Sequence, residues 1–500
     1  MRRGVAAVGL IHLPGRLWVI VAQRAADVIL LVGALGALFD ASLAVYHYAL
    51  LRDRHFTGPR GPLLYYGVPA AVSIALFASV RLSAKRKIVV ACLCAVLGVC
   101  AVGAEIFLEG QTPPGALPKW NWIDVDSATE RADITRVARA AGVSFDLRDL
   151  GAVVADLRRA GRDAMPLVAM PRGTWHQGPF PVAAASSRET VLCNESGQWV
   201  VSRTDEHGFN NPRGIWTRTS IDVVALGESV TYGYCVSQDR TYVGLIRKSF
   251  PATLNLGFSG GPMSASAILR EYVVHLKPRT ILWFHCEGVD LDDLWSNRDD
   301  PVYRRYVEDE RYSQGLIDRQ TEIDRVLLEY SGSAKASARQ RGLTATLMRV
   351  ENVAKLAVLR ERLGLIDGAG NGSSREPATV LTRENLGRFE TILADLKTRS
   401  AAWGGRVYFV YQPHWDRFAG PSTLLERERS TVLPLARAMG FHVIDVAAEF
   451  EAHRDPLALF PFRRFGHYNE AGHRVVAQAV LRVLPAQDSV DAIGRRAVQR

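Results

Sequence analysis

A chain of 500 residues has room for two or three folded units. Its 48% hydrophobic and 22% charged residues exclude disorder throughout. The net charge of +10 forms no basic stripe interleaved with aromatics, so a nucleic-acid partner is not expected; the Lys and Arg residues read as solvated surface and membrane-flanking charge.

Residues 1–110 read as a membrane region. Val28 to Leu51 is long enough to cross a bilayer, whose core of roughly 30 Å takes about 20 apolar residues of helix. Two further crossings are expected near Leu63 to Val80 and Ile88 to Leu108. Arg2, Arg3, Arg16 and Arg24 precede the first, and Arg81, Lys85, Arg86 and Lys87 separate the second from the third. The positive-inside bias then predicts a cytoplasmic N-terminus and, after three crossings, an exported C-terminal domain. The first run is too long for a signal-peptide core and reads as a retained helix. Asp40 falls near mid-span, where a carboxylate marks function by default; with no partner pattern, a protonated or helix-bridging structural residue fits better.

Cys92, Cys94 and Cys100 share one apolar run, whereas Cys193, Cys235 and Cys286 are far apart, without zinc spacing or a disulfide framework. A Cys235–Cys286 bridge would suit an extracytoplasmic domain, but three separate buried residues fit the spacing better.

Residues 111–218 read as a stem or accessory region, opened by a breaker cluster at Pro113, Pro114, Gly115 and Pro118. Leu150 to Ala160 has helical spacing and Gln198 to Ser202 alternates as a strand. No reactive constellation is visible here, and its expected role is packing or spacing.

The region 219–485 changes rhythm. Strand-like runs at Ile221 to Leu226, Thr253 to Leu256, Thr280 to Phe284, Val407 to Tyr411 and His442 to Ile444 alternate with helical stretches. That pattern predicts an α/β fold, a mostly parallel sheet flanked by helices, with its site beyond the C-terminal strand ends. Residues 293–378, rich in charge and helix formers, read as a helical insertion capping the site, and 486–500 as a basic tail.

Four segments concentrate the chemistry. Gly227-Glu228-Ser229-Val230 follows the first strand, placing a serine at a strand-to-helix turn where its hydroxyl is exposed; alone, it reads equally as an N-cap serine. Asn255-Leu256-Gly257-Phe258-Ser259-Gly260-Gly261 follows the second. Trp283-Phe284-His285-Cys286-Glu287-Gly288-Val289-Asp290 follows the third, and Gly466-His467-Tyr468-Asn469 opens the last helix.

In content and order these blocks resemble the SGNH (GDSL-like) hydrolase family over roughly Ile221 to Leu484. The resemblance implies a flavodoxin-like sheet, a catalytic Ser229, His467 as its base, and an oxyanion hole from the N–H groups of Ser229 and Gly260, with no metal or organic cofactor. Three polar positions depart from the family pattern: Glu228 stands for its aspartate, Val289 for its oxyanion asparagine, and Arg464 for its acid three residues before the histidine. Asp455 is the first candidate to orient His467 and Asp445 the second. Glu228, Val289, Asp290 and His414 are expected to line the pocket, and His473 to lie on the helix surface.

The leading expectation is an exported, membrane-anchored serine ester hydrolase of a bacterial inner membrane, acting on O-acyl groups of a cell-envelope glycan or lipid. An O-acyltransferase for an exported polysaccharide, working with a membrane acyl-donor protein, is the second. A catalytically silent glycan-binding or scaffold protein is the third, favoured by Val289 and Arg464.

Overall fold

The computed structural model describes residues 15–45, 67–109, 128–168, 178–331, 356, 359, 380–420 and 422–498. The chain divides into two compact units, Met1–Thr112 with Gly342–Gly372, and Pro113–Arg341 with Ser373–Arg500.

The first unit contains helices α1 (Gly15–Val45), α2 (Val68–Ser79) and α3 (Ala84–Glu109). α1 and α3 are long and apolar enough to cross a membrane, over Leu17–Ser42 and Ala84–Leu108. The expected middle crossing is corrected. α2 has 12 residues, about 18 Å of helix at 1.5 Å per residue, against a hydrocarbon core of roughly 30 Å. Two membrane-length helices, not three, are therefore present among the described residues, and the odd count that placed the C-terminal domain across the membrane loses its support. α1, which contains Asp40, is tied to α3 by Asp27 and Lys87 (2.6 Å) and to α2 by the Ser73 hydroxyl donating to the Ala34 carbonyl (2.9 Å).

The second unit is built on a five-stranded sheet of β4 (Val223–Leu226), β5 (Thr253–Asn255), β6 (Thr280–Cys286), β7 (Arg406–Gln412) and β8 (His442–Asp445). Every pairing is parallel and the order is β5-β4-β6-β7-β8. Counted from β4 this is the flavodoxin-like order 2-1-3-4-5, whose ligand crevice lies where the order reverses, between β4 and β6. The strands are continuous apolar runs because helices cover both faces. Val224, Leu226, Trp283 and Phe409 pack toward Phe389, Leu396 and Val432, while Val223, Ala225, Leu282 and Tyr408 pack toward Tyr242, Ile246, Val476 and Val480. Alternate residues of one strand thus enter opposite core halves.

Beside it stands a three-stranded sheet of β1 (Ala164–Pro166), β2 (Glu189–Val191) and β3 (Val201–Arg203), in which β2 pairs parallel with β1 and antiparallel with β3. Helix α5 (Leu150–Arg159), N-capped by Asp149, packs Val153 and Val154 against Val191. Phe180, Val182 and Phe209 join the main core, so this region is built into the unit.

The insertion begins as core. Helices Asp290–Asn297 and Pro301–Glu308 bury Leu294, Tyr303 and Tyr306, and Leu316, Ile323 and Leu327 follow them inside. Most of its second half lies outside the described residues.

Candidate active site

β4 ends at Leu226, and the turn beyond it is too crowded for any side chain at Gly227, whose added Cβ would lie 2.2 Å from Thr231 Oγ1 and 3.0 Å from Phe284 Cβ. A glycine there lets Ser229 open helix α6 (Ser229–Tyr232) at the sheet edge. The Glu228 carboxylate caps this helix, accepting from the N–H groups of Ser229 (2.5 Å) and Val230 (3.1 Å), and the Ser229 hydroxyl also donates to it.

His467 arrives from the other end of the unit. It precedes the helix Glu470–Val498, capped by Asn469 Oδ1 accepting from the N–H groups of Ala471 and Gly472. The Tyr468 hydroxyl donates to the Pro413 carbonyl (2.5 Å), and the Asn469 N–H to the Leu459 carbonyl (3.0 Å). These bonds bring His467 Nε2 to 3.2 Å from Ser229 Oγ. The Tyr234 ring stacks on the imidazole at 5.3 Å.

The acid is Glu195. Its Oε1 lies 2.8 Å from His467 Nδ1, and the residue is buried in the connection between β2 and β3. An imidazole carrying its proton on Nδ1, toward Glu195, leaves the Nε2 lone pair facing the serine hydroxyl. Both earlier candidates are corrected: Asp455 is an exposed partner of Arg463, and Asp445 pairs with Arg429 at 2.7 Å. Nothing in the sequence around Glu195 signals its role, since its partner is 272 positions away and it was read as part of a spacer.

A second correction concerns sulfur. Cys193 and Cys235, expected to be separate buried residues, are bonded to each other, and Cys286 is a buried free thiol rather than the partner of Cys235. A Glu195 oxygen, the Cys235 sulfur and a His467 nitrogen lie within 4.8 Å of one another, but the disulfide removes the thiolate that a soft metal would require.

Gly260 stands at the N-terminus of α8 (Gly261–Ile268) with φ of 111°, and a Cβ on it would lie 2.9 Å from Ser264 Cβ. Its carbonyl accepts from Asn297 Nδ2 at 3.1 Å. The loop is stitched to the nucleophile turn by the Phe258 N–H on the Gly227 carbonyl (2.9 Å) and by Asn255 Nδ2 on the Thr231 carbonyl (2.7 Å). Of the two N–H groups expected to form an oxyanion hole, that of Ser229 is engaged by Glu228.

Val289 is half-buried just before the helix Asp290–Asn297. Asp290 pairs with His285 Nδ1 at 3.2 Å, while Glu428 holds His285 Nε2 at 3.0 Å. Burial works against the charge on His285, but these two carboxylates outweigh it and push its pKa up to about 9. Burial lifts Asp290 to about 6, against the pull of His285. Glu287, raised by burial and held down by Arg417, accepts two bonds of 2.6 Å from Arg417 and the His414 N–H at 3.0 Å. His414 therefore belongs to the framework of the rim.

His473 is corrected as well. It is wholly buried, its Nδ1 accepts from the Tyr242 N–H at 3.1 Å, and burial pushes its pKa down to about 3.

A serine hydroxyl, an imidazole and a buried carboxylate stand in sequence at the C-terminal edge of a flavodoxin-like parallel sheet, an arrangement of groups able to act as nucleophile, base and acid. No protein-family model matches the sequence, and no curated protein matches it. Similar solved structures include a member of the lipolytic protein G-D-S-L family from Veillonella parvula DSM 2008, at 15% identity and a TM-score of 0.30, covering 53% of this chain and 99% of that one. Another is a two-domain esterase (CEX) active on acetylated mannans, co-crystallized with mannopentaose, at 12% identity and a TM-score of 0.30, covering 53% of this chain and 49% of that one.

Proposed function

We propose that the chain is a membrane-anchored serine ester hydrolase acting on O-acyl groups of a cell-envelope glycan or lipid. The observation that carries this reading is the unbroken line from Ser229 Oγ through His467 to Glu195, at 3.2 and 2.8 Å. The Ser229 hydroxyl first turns from Glu228 to His467; its Oγ then attacks the acyl carbonyl carbon as the proton passes to Nε2, and Glu195 stabilises the imidazolium through Nδ1–H. Collapse of the tetrahedral intermediate expels the alcohol, which takes the proton from Nε2. Water, deprotonated by the same nitrogen, then releases the acid and restores the serine. The Gly260 N–H stabilises the oxyanion, joined by that of Ser229 once Glu228 yields it.

The two membrane-length helices support anchoring. The Cys193–Cys235 bond supports an oxidising, extracytoplasmic setting for the catalytic unit. Turnover of a short-chain activated ester tests the activity: wild type is expected to hydrolyse it, and Ser229→Ala and His467→Ala to lose turnover while remaining folded. Equal turnover in all three proteins would place the chemistry elsewhere. A reporter fused after Arg500 and active only in the cytoplasm would overturn the export reading.

A further inference from the structure

We propose that the Cys193–Cys235 disulfide is the positioning device for the catalytic acid, holding Glu195 against His467; this rests on the hydrolase reading above. The argument begins with where the acid comes from. Ser229 and His467 are placed by the parallel sheet and its last helix, whereas Glu195 belongs to the connection between β2 and β3 of the separate three-stranded sheet. Hydrogen bonds within that sheet do not set the distance from Glu195 to the imidazole.

The disulfide does. Cys193 is two residues before Glu195, and Cys235 is six residues after Ser229, on the loop that leaves the nucleophile helix. That loop folds back on the serine, with the N–H of Tyr234 on the Ser229 carbonyl at 3.2 Å. Tyr234 lays its ring on His467, and Cys235 is held at φ of 62°, a left-handed conformation rare for a residue with a side chain. One covalent bond thus joins the acid's turn to the loop that carries both the serine and the stacking partner of the base. Both cysteines are buried, and the Cys235 sulfur is within 4.8 Å of the acid–base pair.

The remaining anchors of the acid's turn are non-covalent. Asn194 Nδ2 donates to the Asp146 carbonyl (2.7 Å) and Asn194 Oδ1 accepts from the Gly197 N–H (2.9 Å). They hold the turn to the segment of Phe145, whose ring lies 6.3 Å from that of Phe465, two residues before His467; the disulfide is the covalent tie. Glu195 Oε2 is buried without a hydrogen-bond partner among the described residues, so that oxygen adds no hydrogen bond to hold the carboxylate in place. Reduction by a dithiol would cleave the sulfur–sulfur bond, deliver two electrons and two protons to the cysteines, and leave the reductant as its own disulfide.

The test is a double-mutant cycle on the full chain with two readouts. The first is the rate of fluorophosphonate labelling of wild type, Cys193→Ala/Cys235→Ala, Glu195→Gln and the triple variant. The second is the downfield proton resonance of the His467 Nδ1–H bonded to Glu195. Loss of the disulfide is expected to slow labelling by roughly 10²-fold, the scale of a small misplacement of a catalytic group, and to remove the resonance. It should cost Glu195→Gln almost nothing further. If the cysteine variant does not fold, wild type reduced with dithiothreitol takes its place. Slowing of wild type and Glu195→Gln by the same factor, or a resonance that survives loss of the bond, would overturn the proposal. If oxidised wild type is not labelled but its resonance is present and vanishes with the disulfide, the hydrolase reading fails and the positioning stands.

Discussion

Glu195 reaches His467 at 2.8 Å across 272 positions of sequence, from a different sheet. Because it is buried and its hydrogen bond goes to His467, its removal should leave substrate affinity nearly unchanged and lower kcat. Glu195→Gln is expected to lose on the order of 10⁴-fold in kcat, as for a triad whose histidine is left in the wrong tautomer. Steady-state kinetics on an activated ester measure it, and a loss confined to KM would assign Glu195 to substrate binding.

Glu228 has two effects that can be separated. Its carboxylate caps α6, so Glu228→Ala should cost about 1 kcal/mol of stability. The same carboxylate holds the Ser229 N–H, so its removal should speed phosphonate labelling by freeing a donor of the kind worth roughly 10²-fold in kcat. A less stable protein that labels faster is the expected pair of results; slower labelling would make Glu228 a support of the serine.

Val289 precedes the helix Asp290–Asn297 and carries no side-chain cap. Asparagine there is a good N-cap and presents an amide at the rim, so Val289→Asn should raise kcat without lowering the melting temperature. The control is Ser229→Ala in both backgrounds. Unchanged kcat would show that this position does not face the developing oxyanion.

The parallel sheet was legible because its strands are short apolar runs separated by helical stretches, and the pairing of Ser229 with His467 because each sits in a local motif at a strand end or helix start. Glu195 was not legible, since a carboxylate becomes an acid partner through tertiary placement alone, and Cys193–Cys235 was hidden for the same reason. Asp455, the first candidate from the sequence, is claimed by an exposed Arg463. Asp455→Ala should therefore change stability by less than about 0.5 kcal/mol and leave turnover intact. The middle membrane run misled because its described part, from Gly67 onward, forms a helix of only 12 residues.

The buried His285 predicts a pH dependence of stability. Its folded pKa of about 9 lies above the ordinary histidine value of about 6.5, so its protonation stabilises the fold fully below about pH 6.5, and the contribution is lost as pH rises through 9. The melting temperature should fall across that window, and His285→Gln, less stable at neutral pH, should show a flatter profile. Parallel profiles for the two proteins would contradict the charge assigned to His285.

The central claim, that Ser229 is a nucleophile activated by His467, is tested most directly by mapping the peptide that a fluorophosphonate modifies in the full-length protein. The account predicts a single adduct on the peptide containing Ser229, absent in Ser229→Ala and strongly slowed in His467→Ala. An adduct on any other residue, or a wild type that takes up no probe while its fold is intact, would contradict it.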